Sequence, residues 1–487
     1  MTFLFFHWLC KNDRSISVIL SWNLDQLLHN NQRSLFYYYP GMAIIIWGFF
    51  VFQILYHIFV TVLGYGAGVL SPEAIAIFRD GVWMLLAGAI FLLNSKAWRN
   101  FFHHRWKIII VFGGLLVFSV LLSRFMFGKT LSEILIGIKY GLWYLCILIS
   151  AGSVWYLLSS KLKTQKKSEQ SDFSSLGKWQ NILKWGLVSV VLLGRAWQIA
   201  KILFPDRFMA IWYGKLDDYH FWLKPPLYYL TWYEGTLRWQ GLFSWPNNYG
   251  YFLVVFLPLI LQYFSFQNIL KFKSRKKADW IGFLVVVLWL ITLWATLSRA
   301  AMIGAGVVLF CVYFPHIKKH KKILIWSAVW VAILLLGLSI FKRESTLVHI
   351  QQKLSWVLQV IHQPLWYGLG SSGPAVHHTG SFLPENFYLQ LMLDLWTVGF
   401  LIWLGVMYAF LRMQKSLIAR AEKNDQKSEF LQYLRPFQIW LLALLVMGLF
   451  LHVFEDSMVN YLFFWGYGLM LWALQGLIGR TTNEKAD

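Results

Sequence analysis

Arg238-Trp239-Gln240-Gly241-Leu242-Phe243-Ser244-Trp245-Pro246-Asn247-Asn248-Tyr249-Gly250 runs straight into an apolar stretch from Tyr251 to Phe264. A proline followed by two asparagines starts a turn or a helix, since proline presets φ and asparagine side chains bond nearby backbone amides. The segment therefore reads as the polar lip of a membrane helix, with Arg238 just above it. Trp239 and Trp245 suit the headgroup level, where an arginine also meets lipid phosphate.

The rest of the chain agrees with a membrane setting. Of its 487 residues 58% are hydrophobic and only 14% charged, against about 25% charged in soluble domains. The formal net charge of +22 does not point to nucleic acid, because the basic residues are spread over many short loops, as an inner-face bias produces. Cys10, Cys146 and Cys311 lie in or beside apolar segments without paired spacing, so neither a disulfide framework nor a zinc site follows. The apolar start Phe3 to Leu9 is short and lacks a basic leader, unlike a cleaved signal peptide.

Runs near the roughly 20 residues that cross a bilayer predict an all-α polytopic protein of about twelve spans: 40–64, 74–94, 107–127, 132–158, 182–204, 248–264, 280–297, 300–314, 323–341, 387–411, 436–453 and 458–478. Ser298-Arg299 leaves almost no loop between 280–297 and 300–314, so these two could form one broken helix system. Lysines and arginines near residues 96–107, 161–167, 271–277, 318–322 and 412–427 mark the cytoplasmic side. The expected order is a cytoplasmic segment 1–39, spans within 40–204, an external loop 205–247, spans within 248–341, an external loop 342–386, spans within 387–478 and a cytoplasmic tail 479–487. Long loops on one face carry function.

Arg79, Lys139, Arg195 and Lys201 fall inside predicted spans, where an unpaired cation costs at least about 2.5 to 3.5 kcal/mol at mid-helix. Together with Arg238 and Arg299 they gather in the outer half, against Asp80, Glu133 and Asp394. A surplus of cations there implies an anionic ligand, and guanidinium forks match phosphate oxygens. Local pairing of Arg79 with Asp80, of Lys139 with Glu133 or a carbonyl, and snorkelling of Lys201 are the alternatives.

Four marks occur in order along residues 235–410: Arg238 with Gly241 and Pro246-Asn247; Thr296-Leu297-Ser298-Arg299-Ala300-Ala301; Pro364 to Gly373; and Glu385-Asn386-Phe387-Tyr388-Leu389 with Asp394 and Gly399. Together they resemble the O-antigen ligase and O-antigen polymerase family of bacterial polytopic membrane glycosyltransferases. The resemblance implies a metal-independent, cofactor-free enzyme of the bacterial plasma membrane, with both termini cytoplasmic and the site on the external face. The donor would be a polyprenyl-diphosphate-linked glycan and the acceptor a hydroxyl of a glycan or lipid. In that reading Arg238 and Arg299 hold the diphosphate, Glu385 takes the acceptor proton and Asn386 orients sugar or base. Arg195, Lys139, Arg79, Asn247, His377, His378, Tyr388 and Asp394 are the expected substrate-binding residues. Ligases of the family carry a histidine where this chain has Glu385, which favours polymerase-type members, and a glycine where it has Trp396. A transporter or flippase of lipid-linked sugars is the alternative class, since many spans and buried cations suit it too.

Overall fold

The computed structural model describes residues 56, 78–81, 113–114, 116–139, 141, 174–208, 229–230, 236–243, 245–264, 277–317, 343–362, 367–372, 386–423, 431–455, 460–461 and 463–464. The expected spans 40–64, 74–94, 132–158, 323–341 and 458–478 lie wholly or mostly outside these residues. Helix dominates. The labelled helices are α1 (Ser174–Leu203), α2 (Pro246–Tyr263), α3 (Lys277–Ala295), α4 (Arg299–Ile317), α5 (Arg343–His362), α6 (Phe387–Lys423) and α7 (Leu431–Gly448). Ahead of them come a helix at Leu116–Phe125 and helical residues 131–139.

Among the described residues, two helical stretches, Lys184–Leu203 and Phe387–Ser416, are long and apolar enough to cross a membrane. The first exposes apolar residues and buries two polar ones. Leu192, Leu193, Ile199 and Leu203 are exposed on α1, whereas Gln198 and Lys201 are completely buried. A helix in water would do the reverse.

Helix α2 lies at the centre, packed on α4 and α7, which also pack on each other; α3 and α1 flank it, α6 covers α7, and α5 packs on α6. Its residues Tyr249 to Leu261 are buried on every side, which explains why their apolar run shows no helical periodicity. The three central helices approach closely because Gly304 lacks a side chain: a Cβ there would strike Met447 of α7 and come 3.0 Å from Val254 of α2. Trp289 of α3 donates its indole N–H to the Leu253 carbonyl at 2.8 Å, so the broad ring is buried with its polar atom satisfied.

The two spans expected at 280–297 and 300–314 correspond to two helices, α3 and α4, joined by a three-residue turn, and the alternative of one broken helix system does not apply. Thr296 Oγ1 donates to the Leu293 carbonyl at 2.7 Å and Ser298 Oγ accepts the Ala301 amide at 3.4 Å, which closes α3 and caps α4. Leu297 between them takes a positive φ of 49°. Both expected external loops contain regular structure. The first holds a short antiparallel pair, β1 (Tyr229–Leu230) and β2 (Leu237–Arg238), in which Tyr229 faces Arg238. The second holds the 20-residue helix α5.

Helix α6 is broken at Trp396, whose φ of 71° and ψ of 168° are not helical. That region belongs to glycine, and other residues held there cost about 1 to 3 kcal/mol. The break falls at the position where the resembled family carries glycine. The indole meets Phe118 edge-on at 5.6 Å between centroids. Trp396→Gly and Trp396→Ala both lose that contact, but only glycine accepts the backbone without strain. The glycine variant should therefore be the more stable of the two by about 1 to 3 kcal/mol, against the usual helix-interior order. Thermal unfolding in detergent measures the difference; alanine equal to or better than glycine would show that the break is not needed.

Candidate functional site

At one end of the bundle lie the start of α2, the α3–α4 turn and the chain that precedes α2. Trp239 N–H donates to the Ala295 carbonyl at 2.9 Å, stitching the approach segment to the end of α3. The chain then reverses at Gly241, which has φ +54°, and a Cβ there would come within 2.6 Å of the Tyr249 ring. Only glycine meets both demands, which accounts for the spacing of Arg238 and Gly241. Tyr249, stacked on Phe243 with centroids 5.3 Å apart, forms the floor of this turn. Pro246 opens α2 at its first position after the extended Trp245, where a missing N–H costs nothing. Gly250 lets the first turn of α2 sit on the α3–α4 turn, since a Cβ would meet Ala301 Cβ at 2.7 Å and Ser298 Cβ at 3.3 Å.

Two arginines are positioned on this frame. Arg238 donates from Nε to the Thr296 carbonyl at 3.0 Å and from Nη2 to Asn247 Oδ1 at 2.8 Å. Arg195, from α1, donates from Nε to Thr292 Oγ1 at 2.7 Å, and its guanidinium carbon lies 5.4 Å from the Trp239 ring centre. Thr292 passes its own proton to the Leu288 carbonyl at 2.7 Å, so its oxygen faces Arg195 as an acceptor. Arg299 begins α4 three residues after Thr296. Arg238 is thus tied to the turn and Arg195 to the last part of α3, both through neutral oxygens, and Arg299 follows the turn directly in the chain. Thr292 is the site residue the sequence reading lacks, although it lies four positions before Thr296 of the quoted mark and two threonines so spaced in an apolar helix share one face.

The other expected residues take different places. Arg79 and Lys139 meet at a shared carboxylate. Both bind Asp80, Arg79 at 2.9 Å and Lys139 at 2.6 Å, and the Arg79 guanidinium lies 4.4 Å from the Tyr56 ring centre and 5.5 Å from that of Tyr461. The alternative pairing of Arg79 with Asp80 therefore holds, while Lys139 reaches Asp80 rather than Glu133. Glu133 instead receives the Thr130 amide at 2.6 Å and the Thr130 hydroxyl at 2.9 Å, and Thr130 Oγ1 accepts the Glu133 amide at 3.2 Å. This reciprocal box starts the helical residues 131–139.

Asp394 is buried beneath the glycine-rich segment, accepting the Ser372 amide at 3.0 Å. Ser372 Oγ donates to the Gln390 carbonyl at 3.2 Å, Tyr367 N–H to the Leu393 carbonyl at 3.2 Å, and Leu369 N–H to Ser123 Oγ at 2.8 Å. Residues 367–372 are thus clamped between α6 and the helix at Leu116–Phe125, and Asp394 serves the loop backbone. Gly368 and Gly370 have positive φ, and a Cβ at Gly370 would collide with the Glu133 carbonyl. Gly370→Ala combines a left-handed backbone with a collision against backbone that cannot yield. It should lower stability by about 2 kcal/mol or more, read as a drop in thermal midpoint.

Asn386 and Tyr388 act at the α6–α7 junction. Asn386 Oδ1 accepts the Tyr388 amide at 2.9 Å and the Leu389 amide at 3.1 Å, capping α6, while its Nδ2 donates to the Leu449 carbonyl at 2.9 Å. Tyr388 Oη donates to the Leu445 carbonyl. The junction aligns the chain immediately after Glu385; Glu385 itself, His377 and His378 lie outside the described residues. No known family model, curated protein or solved structure matches this chain.

Proposed function

We propose that the protein is a membrane glycosyltransferase that moves a glycan from a polyprenyl-diphosphate carrier to an acceptor hydroxyl on the outer face of the plasma membrane. The reading is of the O-antigen polymerase or ligase type. The observation that carries it is the arginine arrangement: Arg238 and Arg195 are fixed by the Thr296 carbonyl, Asn247 and Thr292, with Arg299 three residues away on the same turn. Fixed guanidinium groups beside a polar turn suit a diphosphate, whose leaving charge they stabilise without reorganisation.

In this reaction the acceptor oxygen forms a bond to the anomeric carbon as the bond from that carbon to the diphosphate oxygen breaks. The electron pair leaves with the polyprenyl diphosphate, and the acceptor proton passes to Glu385. Asn386 has its side chain engaged as a helix cap, so its part is to position the residue before it. Lys139 and Arg79 share Asp80 and leave that cluster with one net positive charge from two cations and one carboxylate. Their expected contribution is to the field around the donor rather than to direct contact.

The test is reconstitution in vesicles with a defined polyprenyl-diphosphate oligosaccharide, followed by mass analysis. Products longer by whole repeat units indicate polymerisation, and a glycan joined to a separate lipid acceptor indicates ligation. Movement of intact donor across the bilayer with no new glycosidic bond would replace this reading with the flippase.

A further inference from the structure

Helix α5 leaves an apolar row at its surface that a helix washed by water would bury. Leu347, Ile350, Leu354, Leu358 and Ile361 recur at spacings of three and four, which lines them along one face, and each is between 47% and 64% exposed. The opposite side faces the protein and holds the polar anchors. Lys353 Nζ donates to the Leu449 carbonyl at 3.4 Å and lies 5.0 Å from the Phe450 ring centre, and Gln359 Nε2 donates to Tyr367 Oη at 2.8 Å. Lys353 and Gln359 thus reach the protein, Gln351, Gln352, Ser355 and His362 are exposed on the flanks, and a continuous row of leucine and isoleucine is exposed between those flanks.

The anchors also set the level of the helix. Leu449 is the first residue past α7. Tyr367, which receives Gln359, bonds Leu393 two turns into the spanning part of α6. The helix therefore sits where the spans begin and end, reaching about 10 Å along α6 at a rise of about 1.5 Å per residue. An amphipathic helix at an interface buries its apolar face to a depth of about 5 to 10 Å. Its only acid is Glu344, against the two cations Arg343 and Lys353 in the same helix, so little repels it from lipid headgroups.

We infer that α5 is an interfacial helix whose Leu347, Ile350, Leu354, Leu358 and Ile361 face lies in the acyl chains of the bilayer, so that the second long connection is moored to the membrane surface on both sides of its glycine-rich turn. The inference rests on the membrane reading of the chain and is independent of the chemistry proposed for it. Spin labels on Ile350→Cys, Leu354→Cys and Ile361→Cys, with Gln352→Cys and Ser355→Cys for the polar flank and Leu193→Cys for the α1 surface, provide the test. The full chain, with its three native cysteines replaced by serine, is reconstituted in phosphatidylethanolamine and phosphatidylglycerol vesicles.

Relaxation by oxygen should exceed that by a water-soluble nickel chelate at 350, 354, 361 and 193, and the order should reverse at 352 and 355. Nickel-dominated relaxation at 350, 354 and 361 with oxygen-dominated relaxation at 193 overturns the inference and leaves the membrane reading intact. Nickel dominance at 193 as well removes both. Protection from both reagents at 350 to 361 means that protein, such as a second copy of the chain, covers the face, and this also overturns it. In the unaltered chain, a photoactivatable phospholipid with its reactive group on the acyl chain should label peptides from 343–362; peptides from this segment that remain unlabelled beside labelled α1 peptides count against it.

Discussion

Arg238→Lys is expected to lower glycan transfer by about 10²- to 10³-fold, the loss typical of removing one preorganised donor aimed at developing charge. The lysine keeps the positive charge but not the planar fork, so it cannot hold the Thr296 carbonyl and Asn247 while facing a phosphate oxygen. Arg238 is also a strut between the approach segment and the α3–α4 turn, so a fall in activity alone would not separate the two roles. Asn247→Asp separates them. Asn247 Oδ1 lies 2.8 Å from Arg238 Nη2, and a carboxylate in its place turns this contact into an ion pair that holds the arginine at least as firmly while cancelling its charge. If Arg238 serves the diphosphate, Asn247→Asp loses transfer with its thermal midpoint unchanged or raised. Parent-level transfer by Asn247→Asp would leave Arg238 as a strut only.

The features legible from sequence were those written in neighbouring residues. Pro246 marked the start of α2, Asn386 the start of α6, and Ser298-Arg299 a boundary between helices, because proline and side-chain caps act on backbone within a few positions. The association of Arg195 with Arg238 was legible only as a shared depth; the contact itself runs through Thr292 and Trp239, which no spacing near either arginine reveals. Sequence proximity offers Lys139 the acid six residues before it or a carbonyl as local partners, whereas the carboxylate it meets, Asp80, comes from 59 positions away. Ion pairs follow tertiary proximity, and Glu133 was already engaged as a cap. Helix α5 escaped because its glutamines, histidines and charges keep it below any spanning threshold, while its apolar stripe faces away from the protein and so resembles an ordinary loop in composition. Trp396 is the opposite case. Its departure from the family's glycine was visible in the sequence, but the reason a glycine is preferred, a backbone angle of 71° in the middle of a helix, needed the structure.

Glu385→Gln carries the largest expected effect, a loss of about 10²- to 10⁴-fold in transfer rate, the contribution of a positioned general base. The amide keeps the size and one acceptor oxygen of the carboxylate but takes no proton at neutral pH. The neighbouring structure bears on how well such a base would be held. Asn386 directly follows it, caps α6 through two amides and ties to Leu449, while Tyr388 is anchored to the Leu445 carbonyl. These ties fix the chain from Asn386 onward, and proton transfer at hydrogen-bond distance requires support of that kind. Asn386→Ala should accordingly lower the rate with Glu385 still present, by loosening its support, and by less than Glu385→Gln does. Glu385→His should retain more activity than Glu385→Gln, since imidazole also accepts a proton and the resembled ligases carry histidine there. His377→Ala and His378→Ala should matter less than Glu385→Gln. Single-turnover rates with a defined lipid-linked donor rank the variants; a Glu385→Gln enzyme at the parent rate beside an inactive His377→Ala or His378→Ala would move the base to those histidines and leave the Glu385-Asn386 pair as a helix start alone.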